Sequence, residues 1–175
     1  MHSHSAHYNI GNRVAVVGPT GAGKSTFSRH LHELTGLPLY HLDLIWWKPD
    51  KTHVSREEFD RQLAAMTQEE KWIIEGDYSR TYEPRVGACD TVIFLDYDEQ
   101  TCVQGLMQRV GQQRPDIHWV EEKLEPELVD YARSFREAQR PKLLAALEKH
   151  PDKQILTFRT REQADAWLEA LEKSW

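Results

Sequence analysis

The sequence predicts an α/β fold in which a five-stranded parallel sheet carries helices on both faces. Five short runs rich in β-branched and aromatic residues have the composition of strands, and most of them lack polar alternation. That pattern is typical of strands that are covered on both faces. Helical segments with recognisable capping residues separate the runs, and a glycine-rich phosphate-binding motif follows the first run. This alternation favours a parallel sheet with right-handed crossovers.

The predicted strands share an apolar composition and are bounded by polar or turn-forming residues. They are Arg13–Val17, Leu37–Asp43, Lys71–Glu75, Thr91–Asp96 and Gln154–Phe158. Because most of these runs are apolar throughout, we expect helices to pack against both faces of the sheet.

The predicted helices are recognised mainly by their ends. Ser55 and Thr160 each open a capping box, which marks the start of a helix. A longer helical pattern over about 126–150 contains Pro141, which predicts either one kinked helix or two separate helices. The remaining predicted helices span Ser25–Leu34, about 55–66 and about 98–110, with a last one that begins at 160.

Composition and charge exclude several classes of protein. The 175 residues carry a net charge of −6 and no block of lysine or arginine, so direct nucleic-acid binding is not expected. No apolar run approaches the roughly 18 residues of a membrane span, and the first residues lack the apolar core of a signal peptide. The two cysteines have no metal-ligand spacing. We therefore expect a cytoplasmic protein that contacts no membrane.

The length predicts a single domain, because domains average about 150 residues. We expect a disordered tail over 1–12 and one domain over 13–175. The tail contains His2, His4 and His7, which could form a metal-binding tract, but a tail without a metal site is the favoured interpretation.

A phosphate-binding loop is predicted at positions 18–26, where GPTGAGKST matches the pattern G-x-x-x-x-G-K-S/T between a strand and a helix. Glycines let backbone N–H groups converge on a phosphate, and the helix N-terminus adds the positive end of its dipole. We expect Lys24 to reach the β- and γ-phosphates of ATP and Ser25 to bind Mg²⁺. The alternative is a glycine-rich turn that only caps a helix. The predicted nucleotide-binding residues of the loop are Gly18, Gly21, Ala22, Gly23, Lys24, Ser25 and Thr26.

Three predicted strands end in an acid, at the edge of the sheet where ligands of open α/β folds bind. Asp43 could orient or deprotonate an acceptor hydroxyl, or hold Mg²⁺ through water, and the alternative is an acid that caps a loop. Asp96 is expected to be a turn or helix-entry residue. His41 shares the strand face of Asp43, and a packed or hydrogen-bonded histidine is favoured over a catalytic one.

Two further residues could line an acceptor site. Trp46 and Trp47 are adjacent and should face opposite ways, so one is expected to pack while the other, assigned as Trp47, lines the pocket. Arg80 follows the third strand and could hold an anionic or hydroxylated acceptor. The alternatives are core packing for the tryptophans and a surface position for the arginine.

Several segments together resemble the adenylate-kinase-related proteins often labelled DNA topology modulation proteins. The similarity extends over about 13–171 and is carried by Gly18–Ser25, Tyr40–Asp43, Trp47–Pro49, Trp72–Arg80 and Thr91–Asp96. It implies the P-loop fold of nucleoside-monophosphate kinases, with strand order 2-3-1-4-5. It also implies an insertion over about 44–70 that covers the acceptor and a short lid over about 111–125 that covers ATP. The lid contains no cysteine, which excludes a zinc-bearing lid.

The resemblance also implies roles for individual residues. The third strand would lie beside the phosphate-loop strand, so Glu75 would contact the Mg²⁺ shell, although members of the family usually carry aspartate there. Arg109 would stack on the ATP base, and Arg136 or Arg140 would clamp the phosphates.

Arginines are expected near the lid because phosphoryl transfer requires positive charge around the transferred group. Arg109 and Arg114 flank the end of the helix after the fourth strand. On the next helix, Arg133, Arg136 and Arg140 recur at spacings that form one face. The alternative is a solvated helix whose arginines pair with neighbouring acids.

These features predict an Mg²⁺- and ATP-dependent kinase that phosphorylates a small acceptor, either a nucleoside monophosphate or a small metabolite. The alternative is an ATP-binding regulatory module linked to DNA topology or to another partner complex. The sequence leaves the acceptor and the oligomeric state open. The residues assigned to catalysis are Lys24, Asp43, Arg109, Arg136 and Arg140.

Overall fold

The computed structural model describes residues 9–174, and its centre is a parallel sheet in the order β2-β3-β1-β4-β5. The predicted fold class and strand order are therefore confirmed. In the sheet, Val16 of the first strand lies between Glu75 and Ile93 of its two neighbours. The strands are β1 (Arg13–Val17), β2 (Leu39–His41), β3 (Trp72–Glu75), β4 (Thr91–Leu95) and β5 (Gln154–Phe158).

Helices cover both faces of this sheet. The pattern interrupted by Pro141 forms two helices, because the proline lies in the first turn of the second one. A short 3₁₀ turn, Ser79–Thr81, follows β3. The α-helices are α1 (Lys24–Thr35), α2 (Leu42–Trp46), α3 (Arg56–Thr67), α4 (Tyr82–Ala88), α5 (Glu99–Arg109), α6 (Pro126–Ala138), α7 (Arg140–Glu148) and α8 (Arg161–Lys173).

The second strand is shorter than predicted, and this moves a candidate site residue. β2 ends at His41, so Asp43 belongs to the one-turn helix α2 rather than to the strand. The apolar run around Leu42 looks alike in a strand and in a buried helix, so its composition could not separate the two. Asp43 nevertheless remains at the carboxyl edge of the sheet, directly after β2.

The central strands are buried on both faces, which explains their uninterrupted apolar sequences. Val14 and Val16 of β1 pack into one apolar core, whereas Ala15 and Val17 pack into a second core on the opposite face. Residues of β3 and β4 are buried throughout. The sheet is therefore rigidly held, and its carboxyl edge is a stable base for a site.

Side-chain caps fix three helix starts at or next to their predicted positions. The Ser55 hydroxyl accepts from the Glu58 N–H at 3.1 Å, and the Asp98 carboxylate accepts from the Thr101 N–H at 2.7 Å. Thr160 caps α8 in the same way. Capping depends on residues only three positions apart, which is why the sequence predicts it well.

Ile10, which lies in the segment predicted as a tail over 1–12, packs against the folded domain. Ile10 is buried in the core, and its carbonyl accepts a hydrogen bond of 2.7 Å from the Thr91 hydroxyl. The positions before 9, including His2, His4 and His7, lie outside the described residues. Within the described part, no helix has the length and apolar character needed to cross a membrane.

Candidate active site

The predicted phosphate loop connects β1 to α1 with three glycines in backbone conformations that other residues rarely adopt. Gly21 and Gly23 have φ of +83° and +91°. A Cβ at Gly18 would lie 2.7 Å from the Leu95 carbonyl oxygen, and a Cβ at Gly21 would collide with the Cys102 carbonyl oxygen. Glycine is therefore required at these positions because of the positive φ angles and because a Cβ would collide with neighbouring atoms.

An arginine from the far end of the chain holds the loop in shape. Arg161, the first residue of α8, donates hydrogen bonds to the carbonyl oxygens of Ala22 at 2.8 Å and Gly21 at 3.0 Å. Its guanidinium also lies 5.4 Å from the centre of the Tyr97 ring. These two hydrogen bonds tie the loop to α8 and restrain its backbone. The role of Arg161 was not predictable from the sequence, because its contact forms only in the folded chain.

The two polar side chains at the start of α1 are placed for phosphate and metal chemistry. Lys24 is the first residue of the helix, and its Nζ donates to the Pro19 carbonyl at 2.9 Å. Ser25 Oγ is buried and has no hydrogen-bond partner among residues 9–174. The first N–H groups of a helix lack partners within it. An unpartnered hydroxyl oxygen beside them fits Mg²⁺, which prefers oxygen ligands and keeps substrate phosphates in its shell.

Two carboxylates converge beside this loop. Glu75 is 4% exposed and accepts a hydrogen bond of 2.8 Å from His41 Nδ1, its neighbour in the β2–β3 ladder. Asp43 accepts from the Tyr78 hydroxyl at 2.6 Å. Burial and the charge of Glu75 raise the pKa of Asp43, while the Tyr78 hydrogen bond and the charge of Lys24 oppose that rise. These influences place the residues in one electrostatic cluster, and His41 is hydrogen-bonded as predicted.

The turn after β3 forms the buried floor of the cleft. Asp77 accepts hydrogen bonds from the hydroxyls of Tyr82 and Tyr131. Arg85 is fully buried, and it donates to the carbonyls of Gly76 and Asp77 and to a threonine hydroxyl. Buried arginine is rare, so the sequence did not indicate it. This network fixes the path of the chain that carries Tyr78.

The predicted lid is held together by ion pairs. Arg114 donates to Asp116 at 3.0 Å and to Glu121 at 2.6 Å, and Arg109 Nε lies 3.2 Å from the same oxygen of Glu121. Burial and the charge of Arg114 lower the pKa of Arg109. Both arginines therefore already have carboxylate partners in this state.

The lid also contacts the predicted insertion. His118 donates to the Leu44 carbonyl at 3.2 Å, and the rings of Trp47 and Trp119 meet edge to face with centres 5.7 Å apart. Trp46 instead packs edge-on against Phe59. The two adjacent tryptophans thus play different parts, one in packing and one against the lid, so the cleft is covered in this state.

Asp96 lies in the turn between β4 and α5, as expected, but it is also a buried partner of arginine side chains. It is 3% exposed and accepts from Arg140 at 3.0 Å and from Arg136 at 3.4 Å. Arg159 lies 3.6 Å from the same carboxylate. The positive charge of the arginines lets this carboxylate remain buried. Two of the predicted phosphate-clamping arginines therefore share one acid at the end of β4.

The remaining predicted arginines pair at the surface. Arg80 makes hydrogen bonds of 2.9 and 2.7 Å to Asp60 of α3, and its side chain is 44% exposed. Arg133 lies 3.2 Å from Glu99 in an exposed pair. Arg80 therefore lies against the insertion helix α3.

Replacing the buried anchor is expected to weaken the fold. In Asp96→Asn the arginines lose a buried charged partner, and we expect the free energy of unfolding to fall by about 2 kcal/mol. The exposed pair offers a matched control, because Glu99→Gln should change stability by less than about 0.5 kcal/mol. Urea denaturation followed by circular dichroism measures both. Equal stability of the two variants would contradict the role of Asp96.

Comparison with known proteins identifies structures with the same fold. No protein-family model matches the sequence, and no curated protein is significantly similar to it. Solved structures are similar over nearly the whole chain. A shikimate kinase from Acinetobacter baumannii has a TM-score of 0.60 at 17% identity, covering 97% of this chain and 98% of its own. The fold is that of a P-loop kinase.

Other P-loop kinases share this likeness. A shikimate kinase from Bacteroides thetaiotaomicron has a TM-score of 0.57 at 19% identity and covers 93% of this chain and 97% of its own. A deoxyadenosine kinase from M. mycoides has a TM-score of 0.58 at 14% identity and covers 93% of this chain and 98% of its own. Identities this low establish the fold alone, and the topology modulation family is not confirmed.

Proposed function

We propose that this protein transfers the terminal phosphoryl group of ATP to a small acceptor, a nucleoside monophosphate or a small metabolite. One observation carries the proposal: Asp43, which is partly buried, lies within the electrostatic influence of Lys24 in the phosphate loop and of the buried Glu75. Nucleotide-binding groups and acceptor-activating groups thus lie together at the carboxyl edge of the sheet. The kinase names of the structurally similar proteins agree with this assignment.

The nucleotide half of the site is assigned to the loop and to the lid. Backbone N–H groups over 23–26 hold the phosphates, and Lys24 exchanges the Pro19 carbonyl for a phosphate oxygen. Mg²⁺, bound by Ser25 Oγ with Glu75 near it, would neutralise charge on the phosphates. Arg109 supports the ATP base, in keeping with its place at the end of α5.

The acceptor half is assigned to Asp43, Trp47 and Arg80. Asp43 orients the acceptor and accepts its proton, and burial raises the pKa of this carboxyl toward the range useful for a base. Arg136 and Arg140 supply positive charge at the end of β4 once Asp96 has positioned them. Closure of the lid over Trp47 excludes water from the transferred group.

The regulatory-module hypothesis gains no support from residues 9–174. The cleft holds a hydrogen-bonded carboxylate beside the phosphate loop, which nucleotide sensing alone does not require. The cytoplasmic location stays a prediction of the sequence, the association with DNA topology stays part of the alternative hypothesis, and the oligomeric state stays open.

Acceptor-dependent ADP release tests the proposed function. The protein is mixed with Mg-ATP and with nucleoside monophosphates, nucleosides, polyols and sugar acids in turn, and ADP is measured in a coupled assay. We expect at least one small acceptor to raise ADP release well above the rate with ATP alone. Tight ATP binding with no acceptor stimulation across the panel would favour the module instead.

Loss of the Tyr78 hydroxyl is expected to shift the pH dependence of the reaction. The hydrogen bond from Tyr78 lowers the pKa of Asp43, so Tyr78→Phe raises it further. Because Asp43 acts in its deprotonated form, the acidic limb of kcat/KM moves to higher pH. The control is Tyr82→Phe, which removes a hydroxyl from Asp77 and should leave that limb in place. An unshifted limb in Tyr78→Phe would remove Asp43 as the titrating base.

A further inference from the structure

We infer that Arg161 is a positioning residue for nucleotide binding, which orients two N–H groups of the phosphate loop toward the phosphates of ATP. The inference rests on the nucleotide half of the proposed function, because it takes from there the assignment of the loop to ATP. It adds to the site a residue of the last helix, α8, which lies far from the loop in the sequence.

Arg161 holds two consecutive carbonyl groups of the loop. Its Nη1 donates to the Ala22 carbonyl oxygen at 2.8 Å, and its Nη2 donates to the Gly21 carbonyl oxygen at 3.0 Å. A guanidinium group presents its N–H donors in a rigid planar fork, so one arginine can bind two neighbouring oxygens at once. Both carbonyl groups therefore point toward the start of α8.

The planarity of the peptide bond converts this contact into an orientation of N–H groups. Each carbonyl shares a peptide unit with the N–H of the following residue, and in a trans peptide the two point in opposite directions. Both of these peptide bonds are trans. The N–H groups of Ala22 and Gly23 therefore point away from Arg161.

The N–H of Ala22 points to the place where Lys24 is expected to meet a phosphate. It donates to the Pro19 carbonyl at 3.2 Å, and the Lys24 ammonium donates to the same oxygen at 2.9 Å. In the proposed function, Lys24 exchanges this oxygen for a phosphate oxygen. A phosphate at that place would also be within reach of the Ala22 N–H, so Arg161 orients a group that would bind the nucleotide.

Two glycines leave the space that the Arg161 guanidinium occupies. A Cβ at Gly23 would lie 2.8 Å from Nη1, and a Cβ at Gly105 of α5 would lie 2.8 Å from Nη2 and collide with the Gly21 carbonyl oxygen. The Tyr97 ring, 5.4 Å from the guanidinium, packs beside it. Close packing of this kind restrains the side chain and, through it, the loop.

The place of Arg161 at the start of a helix does not account for these contacts. Arg56 is the first residue of α3 and follows the hydroxyl cap Ser55, just as Arg161 follows Thr160, yet Arg56 is exposed. A helix with such a cap therefore does not require a partly buried arginine at its first position. The hydrogen bonds to the loop are the distinguishing feature of Arg161.

The nucleotide affinity of Arg161→Ala tests the inference. Without the two hydrogen bonds the loop samples other backbone conformations, and the apparent affinity falls with the fraction of the protein that remains competent to bind. We expect the Kd to rise about tenfold or more for Mg-ATP and also for Mg-tripolyphosphate, both measured by calorimetry. Arg56→Ala is the matched control and should leave both Kd values unchanged, and circular dichroism verifies that both variants are folded.

Two further measurements separate positioning of the loop from a merely structural role. Arg161→Lys keeps the charge but lacks the planar fork, so we expect its affinity to lie between those of the unmodified protein and Arg161→Ala. Millimolar guanidinium chloride should restore part of the affinity of Arg161→Ala, because the free cation fits the space that the side chain leaves. If Arg161→Ala had merely lost stability, guanidinium would weaken its binding further, since this cation is a denaturant.

Unchanged affinity of Arg161→Ala for Mg-ATP would overturn the inference and leave the proposed function standing. A weaker affinity for Mg-ATP without a weaker affinity for Mg-tripolyphosphate would also overturn it, because Arg161 would then act on the nucleoside. Parallel losses for both ligands support the inference even if no acceptor raises ADP release, and in that case the proposed transfer reaction alone fails. An unmodified protein that binds neither ligand would overturn both.

Discussion

Lys24→Ala is expected to abolish ATP turnover, lowering the rate by about 10³-fold or more, while the fold stays intact. Within the described part of the chain, the ammonium of Lys24 donates to the Pro19 carbonyl of its own loop and to no other group, so the side chain contributes little to packing. Its loss removes a positive charge from the place where the phosphates bind, where charge develops during transfer. ADP release measures the rate, and circular dichroism verifies the fold.

A surface lysine provides the matched control for this variant. Lys142 is exposed on α7, away from the phosphate loop, so Lys142→Ala should keep full turnover. Retention of near-native turnover by Lys24→Ala with any acceptor would show that the loop does not serve phosphoryl transfer.

Asp43→Asn is expected to lower acceptor-stimulated turnover by about 10²-fold or more while ATP binding survives. Asparagine keeps the size of the side chain and can still accept the Tyr78 hydrogen bond, but it cannot take up the acceptor proton. A kinase loses its rate under this change. A regulatory module has no acceptor-dependent rate to lose, so the variant separates the two hypotheses.

The control for Asp43 is Asp130→Asn on the exposed side of α6, which should leave both binding and turnover unchanged. ATP affinity is measured by calorimetry and turnover by ADP release. A full acceptor-dependent rate in Asp43→Asn would remove this residue from the mechanism and move the acceptor site toward Arg80 and the two adjacent tryptophans.

Features that depend on neighbouring residues were predictable from the sequence. β1 and β5 have their predicted bounds, and the Ser55 cap opens α3 beside its predicted start. Strand composition, capping and the phosphate-loop pattern are all encoded within a few positions. The bounds of β2 were wrong because the run that holds Asp43 is compatible with strand or helix, and the choice depends on burial against the rest of the fold.

Features that depend on distant contacts were not predictable in the same way. Asp96 meets Arg140 across 44 positions of sequence, and Arg85 is buried against its own turn although its residue type predicts exposure. When its distant partners are unknown, an acid that follows a strand cannot be distinguished from any other turn residue. The partners of the arginines could therefore be identified only from the structure. The presence of arginines near the lid was predictable from the sequence.

The hydrogen bonds from Arg161 to the phosphate loop have a consequence for protein synthesis. Arg161 and Ala22 are 139 positions apart, so the loop leaves the ribosome long before Arg161 has been made. Domains assemble from the N-terminal end as the chain emerges, yet here the nucleotide cradle acquires its final support only when α8 docks. A nascent chain therefore displays the complete phosphate-loop motif before the loop has its final support, and the finished loop forms only after α8 has been made and has docked.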